Sequence, residues 1–461
     1  MLGRDDSARI IAELEHADLF LVALDPQRSW YRYHRLFREA LRRGLQANEP
    51  GTVPALLQRA AQWYRSAGDA EQAVRCLIAA DDPVAAADLL AISDDDFMNQ
   101  GALGTYLRLA DALPAEVIRA TPQLGISLAA AAGFTGQLDR VRPLLDAVEA
   151  ALTDDTAPPV GWRSARAAAA TLRTVYVHAG PSIADNLDIA RHAVALESDP
   201  DQQGWVISRI ALGGALSGLD RNDEASQVLA EAVERAPVVG LPAFIQLQAT
   251  GLLAVTMLKD GQIDAVRRLL RTSLPGATAI EGALGDAAAP AVAYLRLAEG
   301  LLAHRDGDID RARTVLAHAA SLALATGHPS QIVRTLTGRA EVELAGGNRR
   351  AASAALSEAD EVARTEPVLP AVTRALDEAR ERIGRGAVAM ARRDGALPEP
   401  LTDREHAVLR ALQGPLSQRE IGVELYLSIN TVKGYTKSLY RKLDVASRPE
   451  AVRRGRELGI I

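Results

Sequence analysis

The amino-acid sequence predicts an all-α protein built from a long series of paired helices. Apolar residues make up 48% of the 461 positions and aromatic residues only 4%, a balance that suits closely packed helices better than sheets. A chain of this length needs either two or more hydrophobic cores or an array of repeats in which each repeat extends a shared core. A glycine followed by polar residues recurs through most of the chain, which favours the array.

The composition also limits the kind of protein. The single cysteine, Cys76, excludes an internal disulfide framework and a thiolate metal site, and it fits a reducing compartment. The longest weakly apolar run, 124–134, is shorter than the roughly 18 to 20 residues that span a bilayer. We therefore expect a cytoplasmic protein with no membrane partner. The eight histidines lack metal-ligand spacing and we find no nucleophile motif, so we expect no metal site and no enzymatic activity.

Residues 1–47 predict a helix, a hairpin and a second helix. The first helix covers 7–16, and two apolar or aromatic runs, 20–22 and 30–33, flank the turn-forming pair Asp25-Pro26. The second helix is predicted from about His34 to Arg43, and His34 is expected to pack rather than to catalyse. One face of this helix is apolar and holds Leu36, Phe37, Ala40 and Leu41.

Residues 52–383 repeat one pattern, in which a glycine and a few polar residues precede a Leu-bearing helix. The last four of these glycines are 43, 46 and 40 residues apart, and Gly180 lies near the middle of the 82-residue gap before them. Each glycine is interpreted as a left-handed cap that ends one helix, with an Asp or Asn that caps the next. The glycines are Gly68, Gly136, Gly218, Gly261, Gly307 and Gly347.

Neither helix of such a pair buries its apolar face alone, so stacked pairs would share one core, as in a helical solenoid. The period exceeds the roughly 34 residues of the tetratricopeptide (TPR) unit, and the array resembles TPR repeats with lengthened helices. The alternative is an irregular helical domain in which Gly-Asp only marks turns.

Residues 384–400 predict a linker, because they contain three glycines and because two prolines, Pro398 and Pro400, flank Glu399. A second domain, 401–461, follows. It has eleven Lys and Arg against seven Asp and Glu, a net charge of +4 that leaves −11 for the remaining chain. Only this domain is basic.

Residues 401–461 predict four short helices, each opened by a capping residue. Thr402 with Glu405, Ser417 with Glu420 and Ser447 with Glu450 have capping-box spacing, and Ser428 would cap the third helix. At 100° per residue, one face of the third helix, about 60° wide, groups Val432, Thr436, Leu439 and Leu443.

A separate arc of the third helix, about 100° wide, is polar. Long cationic side chains beside a glycine suit a helix that enters the major groove of DNA. This groove is about 12 Å wide, and a Lys side chain can reach guanine O6 and N7 there. The alternative interpretation, which would apply to any isolated helix, is that this arc is a basic surface exposed to solvent that binds nothing. The arc carries Asn430, Lys433, Gly434, Lys437 and Arg441.

The whole of 401–461 resembles the LuxR-type helix-turn-helix domain without a gap. The matching residues are Leu401-Thr402, Arg404-Glu405, Val408-Leu409, Leu416-Ser417, Arg419-Glu420-Ile421, Leu425, Ser428, Asn430-Thr431-Val432-Lys433, Tyr440-Arg441-Lys442-Leu443, Ser447-Arg448 and Ala451-Val452. Tyr435 stands where the family often has His, Gly434 lacks a side chain at a position that often touches bases, and Pro415 replaces a glycine.

This resemblance implies binding to double-stranded DNA. Base contacts would come from Lys433 and Lys437, and backbone contacts from Asn430, Thr431, Tyr435, Lys442 and the start of the fourth helix, including Arg448. Gly434 and Arg441 join these candidates because they lie on the exposed arc. The fourth helix, 449–458, commonly supplies dimer contacts in this family, so a homodimer on two half-sites about one helical turn apart is expected.

The first 90 residues resemble the segment in which the ATP-binding, MalT-like LuxR regulators pass from an NTPase module through a winged helix into repeats. The matching runs include Gly3-Arg4-Asp5-Asp6-Ser7, 30–34 and Trp63-Tyr64, and 1–47 would be a winged-helix-like remnant of a STAND-type NTPase region. None of the four lysines follows a glycine, as a phosphate loop requires. We therefore expect no ATP-binding module and no cofactor, in either a truncated regulator or a natural form without the ATPase.

The leading hypothesis is a sequence-specific transcription regulator whose repeats sense a small-molecule or protein effector, with RNA polymerase as a further candidate partner. A rival hypothesis is a TPR-type interaction scaffold with a vestigial or dimerising C-terminal domain. A third, a sigma-factor region of similar fold, is weaker because nothing upstream resembles a segment that binds core polymerase.

Overall fold

α-Helices account for almost all regular secondary structure in the described chain, which confirms the predicted fold class. The computed structural model describes residues 6–17, 20–23, 25–26, 31–49, 51–176, 183–394, 399–458 and 460–461. The chain divides into two units, one up to Leu295 together with Leu322–His328, the other comprising Arg296–Ser321 and Pro329–Ile461. Among the described residues, no helix is long and apolar enough to cross a membrane.

The N-terminal segment has the predicted order of helix, hairpin and helix. Its elements are α1 (Ser7–His16), β1 (Leu21–Ala23), β2 (Tyr31–Tyr33) and α2 (Arg35–Asn48). The strands pair antiparallel, and the Phe37 ring lies 5.3 Å from that of Phe20 and 5.6 Å from that of Tyr33. The predicted apolar face of α2 is packed only in part, because Leu36 and Leu41 are 69% and 46% exposed. Trp30, placed in the second strand by the sequence, lies outside the described residues.

Helices occur throughout 52–176 and 183–394, and many consecutive helices pack against each other, as the repeat pattern predicts. They are α3 (Thr52–Ser66), α4 (Ala70–Ala79), α5 (Pro83–Ala91), α6 (Asp94–Asn99), α7 (Leu103–Ala110), α8 (Ala115–Ala120), α9 (Pro122–Phe134), α10 (Leu138–Ala151), α11 (Ala165–Tyr176), α12 (Ile183–Leu196), α13 (Gln203–Gly218), α14 (Asn222–Arg235), α15 (Ala243–Lys259), α16 (Ile263–Leu284), α17 (Ala289–Arg305), α18 (Ile309–Thr326), α19 (Pro329–Ala345), α20 (Arg349–Thr365) and α21 (Pro370–Asp394). Buried Ala and Leu from successive helices form the core.

The glycines of the repeat pattern cap helices as predicted, with one correction. Five of the six have a positive φ, from +74° at Gly136 to +84° at Gly307. Gly218 is instead the buried last residue of α13, and Asp220 adopts the left-handed conformation with φ +59°. Gly180 lies outside the described residues. The predicted polar caps form at three of the six helices that follow, where Asp69, Asp308 and Asn348 accept backbone N–H groups. The helices that begin at Leu138, Asn222 and Ile263 have no side-chain cap hydrogen bond.

The predicted linker begins later than its glycines indicate. Helix α21 continues to Asp394, so 384–394 are helical and not an irregular linker. Helix propensity is additive over a segment, and the Ala, Arg and Met residues around Gly384 and Gly386 outweigh two glycines. Residues 395–398 lie outside the described chain.

The C-terminal segment has the four predicted helices, α22 (Asp403–Ala411), α23 (Gln418–Glu424), α24 (Ile429–Leu443) and α25 (Arg448–Glu457). Their apolar faces meet in a core of their own that includes Val408, Ile421 and Leu439, all fully buried. This core fixes the position of α24, whose other face is the candidate site.

Candidate DNA-binding surface

Side-chain caps set the start of each helix around the candidate surface. At α22, the Thr402 N–H donates to Glu405 Oε2 at 2.8 Å and the Glu405 N–H donates to Thr402 Oγ1 at 3.3 Å. Ser417 and Glu420 make the same reciprocal pair at α23. These capping boxes satisfy amide groups that the first helical turn leaves without partners. Both were predicted from the sequence.

The turn between α23 and α24 is tight and depends on one glycine. The Leu427 N–H donates to the Gly422 carbonyl at 2.7 Å, and Tyr426 adopts a left-handed φ of +54°. A Cβ at Gly422 would lie 2.7 Å from the Leu427 carbonyl oxygen, closer than real contacts allow. Ser428 then caps α24 by accepting the Thr431 N–H at 3.1 Å. The turn therefore holds α24 at a fixed angle to α23.

Helix α24 has one buried and one exposed face, as the helical periodicity predicts. Val432, Thr436, Leu439 and Leu443 are buried. Tyr435 is half-buried against the domain core, while Thr431 is exposed beside the N-cap. The predicted polar arc is exposed throughout and carries Asn430, Lys433, Gly434, Lys437 and Arg441.

Lys433 and Lys437 present free ammonium groups on this arc. Within the described part of the chain, neither side chain has a hydrogen bond or an ion pair. Arg441 is different, since its Nη2 lies 2.6 Å from Glu399 Oε2, in an exposed ion pair with the residue between the two prolines. No local sequence pattern indicates this pair, which places a carboxylate at the C-terminal edge of the arc.

Lys442, for which the resemblance implies a DNA-backbone contact, does not lie on the exposed face. Its side chain is 6% exposed and Nζ donates to Glu405 Oε2 and to the Pro400 carbonyl, each at 2.8 Å. The other Glu405 oxygen, Oε1, accepts the Ser438 hydroxyl at 2.6 Å. The ammonium is thus held by internal acceptors, and Lys442 joins α24 to α22.

The same network changes the acidity of Glu405. Burial by itself would raise the pKa of this carboxyl group, but hydrogen bonds from Lys442, Ser438 and Thr402 outweigh burial and lower the pKa from 4.5 to about 2. The carboxyl group is therefore charged near neutral pH, as its ion pair with Lys442 requires.

Arg448, a further predicted DNA contact, is half-buried and makes hydrogen bonds within the domain. Its guanidinium donates to the carbonyl oxygens of Leu412, Gly414 and Leu416. These carbonyls form the turn between α22 and α23, where Pro415 stands. The planar group of Arg offers several donors in a fixed geometry, which suits three converging carbonyls. Arg448 therefore ties α25 to that turn.

Comparisons with known proteins agree with this geometry. Residues 399–454 match the model for bacterial regulatory proteins of the luxR family, and residues 1–53 match the MalT winged helix domain. The C-terminal domain is therefore a LuxR-type helix-turn-helix. With both matches, the chain is similar to MalT-like regulators of the LuxR family at its two ends.

Similar curated proteins include the HTH-type transcriptional regulator MalT of Vibrio cholerae, 34% identical over 103 residues that cover 22% of this chain and 11% of the relative. MalT of Klebsiella pneumoniae is 28% identical over 122 residues, 26% of this chain and 14% of the relative. The serine/threonine-protein kinase PknK of Mycobacterium tuberculosis is 28% identical over 156 residues, 32% of this chain and 14% of the relative. The aligned regions thus span 14% or less of these relatives.

Among solved structures, a Rap protein complexed with Competence and Sporulation Factor aligns with a TM-score of 0.42 and 11% identity over 82% of this chain and 83% of that one. The APC/C heterotetramer Cut9-Hcn1 aligns with a TM-score of 0.40 and 12% identity over 73% and 71%. Both similarities are weak, and the fold described above rests on the helices of this chain themselves.

Proposed function

We propose that this chain is a transcription regulator that binds specific DNA sites by inserting α24 into the major groove. The observation that carries the proposal is the exposed arc of α24, on which Lys433 and Lys437 have no internal partner among the described residues. Lysine ammonium groups at such positions reach guanine O6 and N7. Asn430 and Thr431, at the exposed start of the helix, are placed to contact the DNA backbone.

The internal positions of Lys442 and Arg448 support the same proposal. A side chain can contribute to specificity only if the helix that carries it is held firmly, because base contacts require positions accurate to a fraction of an ångström. The Lys442–Glu405 pair joins α24 to α22, and the three Arg448 hydrogen bonds hold α25 against the turn between α22 and α23. On this proposal both cations support the domain that positions α24.

The test is a double substitution on the exposed arc. Lys433→Ala with Lys437→Ala should abolish sequence-specific footprinting by the full chain and leave its helical circular dichroism unchanged. The matched control is Arg268→Ala with Arg271→Ala, which removes two exposed cations from α16 and should leave the footprint intact. Sequence-specific protection retained by the double lysine variant would refute the assignment.

The regulator would work as a homodimer on two half-sites, with contact to RNA polymerase as part of its output. Support for these partners comes from the family resemblance alone. Sedimentation of the full chain with a duplex that carries one or two half-sites measures the stoichiometry. A single copy on the two-half-site duplex at saturation would contradict the dimer.

A groove in the repeats favours effector or partner binding as a second function. It has a volume of about 740 Å³ and lies between α3 and α5, with Gln123 of α9 at one end. Its lining combines polar residues of both helices, among them Gln62, Arg65 and Asp88, with apolar side chains such as Leu77. Ligand sites of this size combine apolar surface with a few convergent polar groups.

The groove is tested by screening metabolites and peptides for thermal shifts of the full chain. A hit that stabilises the chain should lose its effect in Gln62→Ala with Asp88→Ala, and the surface control Arg268→Ala should retain it. Equal shifts in all three proteins would place the ligand elsewhere.

A further inference from the structure

We propose that Gly434 is a close-approach residue, where the missing side chain lets the α24 backbone approach the base edges and so determines affinity for specific sites. This inference rests on the proposed function, because it concerns the same helix face. It assigns a role to a residue that has no side chain with which to contact a base.

The backbone conformation does not require a glycine at 434. The residue lies in the interior of α24 and has no positive φ, so any L-residue could adopt its conformation. Glycine in a helix interior is less favourable than alanine, since it loses more conformational freedom on folding. The domain is thus less stable with Gly434 than it would be with alanine.

Packing within the chain does not require this glycine either. A Cβ at Gly434 would meet no atom of the described structure within 4 Å. The other helical glycines of this domain differ, because a Cβ at Gly422 would lie 2.7 Å from a carbonyl oxygen and one at Gly455 would lie 3.0 Å from Ile461. Those two residues are explained by the fold, whereas Gly434 is not.

The position of Gly434 points to a partner outside the chain. Residues three and four positions apart are neighbours on a helix surface, so Asn430 and Lys437 flank Gly434, with Lys433 preceding it. The three polar side chains surround a bare patch of backbone. When a helix lies in a groove about 12 Å wide, a bare patch lets its axis move inward and brings the flanking side chains closer to the bases. Close approach of backbone to ligand is a recognised use of glycine.

The experiment compares Gly434→Ala and Gly434→Leu with the wild-type full chain. The specific duplex is selected by the wild type from a random-sequence pool, and an unrelated duplex of equal length serves as the nonspecific probe. Fluorescence anisotropy should show Gly434→Ala weakening specific binding about tenfold, equivalent to one lost contact, and Gly434→Leu weakening it further. Nonspecific affinity, which depends on phosphate charge, should not change.

A second readout separates this role from a structural one. Amide hydrogen exchange of 429–443 in Gly434→Ala should be slower than in the wild type, because alanine stabilises the helix. The matched control is Gly44→Ala in α2, another helical glycine with open space around its Cβ position. It should slow exchange locally and leave both DNA affinities unchanged.

Each remaining outcome has one meaning. Specific binding by Gly434→Ala equal to or tighter than that of the wild type would overturn the inference and leave the proposed function standing. Faster exchange with parallel loss of both affinities would assign Gly434 a structural role and would also overturn it. If the wild type selects no sequence from the pool, the proposed function itself fails.

Discussion

At the scale of single residues, cations close together in the sequence have different roles. Lys437 is exposed and unpaired within the described chain, whereas Lys442, five positions later, is buried against Glu405. Arg441, adjacent to Lys442, is exposed and paired with Glu399. The net charge of a helix therefore overestimates how many of its cations can bind a phosphate backbone. On α24, the lysine side chains without a partner among the described residues are Lys433 and Lys437.

The Lys442–Glu405 pair gives the helix-turn-helix domain a defined acid sensitivity. The pKa of Glu405 is lowered from 4.5 to about 2, so its stabilising contribution is complete above pH 4.5 and is lost as the pH falls toward 2. A shift of this size corresponds to about 3 kcal/mol. Hydrogen exchange of 403–457 in the full chain, measured from pH 5 to pH 2.5, should show protection falling across this range.

The control for that measurement removes the cation. Lys442→Met leaves a buried carboxylate without its partner, which should destabilise the domain by about 3 to 5 kcal/mol at pH 7. Lys437→Met, on the exposed arc, should have little effect on protection. Equal protection of the wild type and Lys442→Met at pH 7 would contradict the importance of the pair.

Much of the geometry of the site could be predicted at this scale, but the internal partners of Lys442 and Arg448 could not, for one physical reason. The capping boxes, the buried stripe through Val432 and the exposed arc are local patterns, determined by residues within one or two helical turns. The role of Lys442 depends on Glu405, 37 positions away, and that of Arg448 on carbonyls 32 to 36 positions away. A single sequence has no signal for such pairings, although the helical wheel does place Lys442 outside the arc.

At the scale of elements, the helix ends of the repeats were predictable because they depend on backbone conformation. Gly307 has a φ of +84° and Gly347 a φ of +78°, a region that other L-residues occupy at a cost. The same reasoning failed at Gly218, which is the last helical residue of α13, because Asp220 takes the left-handed position instead. The separate prediction of a linker from Gly384 and Gly386 was also wrong in part, since both lie in α21.

A pair of alanine substitutions tests the capping role. Gly307→Ala should destabilise its repeat by roughly 1 to 2 kcal/mol, because a Cβ there meets only open space and the whole cost is the left-handed backbone. Gly282→Ala in α16, where the glycine is helical and equally open, should stabilise by up to about 1 kcal/mol. Hydrogen exchange of the flanking helices measures both changes, and changes of the same sign would contradict the capping explanation.

At the scale of the whole molecule, charge is segregated along the chain. The last 61 residues carry a net charge of +4 and the remainder carries −11. Only the C-terminal segment attracts a polyanion, and the rest of the chain opposes nonspecific binding. The fold class follows from composition and periodicity, which are global properties of the sequence, and for this reason it was predicted correctly.

We therefore expect the DNA affinity to fall as the salt concentration rises, with a slope that reflects a small number of phosphate contacts. For the full chain on an unrelated duplex, log K should fall linearly with log salt with a slope of about −2 to −4 per bound copy, as expected for a few neutralised phosphates. The slope should be the same in Arg268→Ala with Arg271→Ala. A slope near zero would show that the basic domain does not meet phosphates.

The three hydrogen bonds of Arg448 also constrain when the helix-turn-helix domain can form. The first turn of the domain needs a guanidinium supplied by the final helix, so a nascent chain that has exposed only α22 and α23 lacks the group that closes them. During translation, the repeats emerge from the ribosome first, and we expect the turn between α22 and α23 to gain these hydrogen bonds only after α25 has been synthesised. The proposed DNA-binding surface would then be completed last.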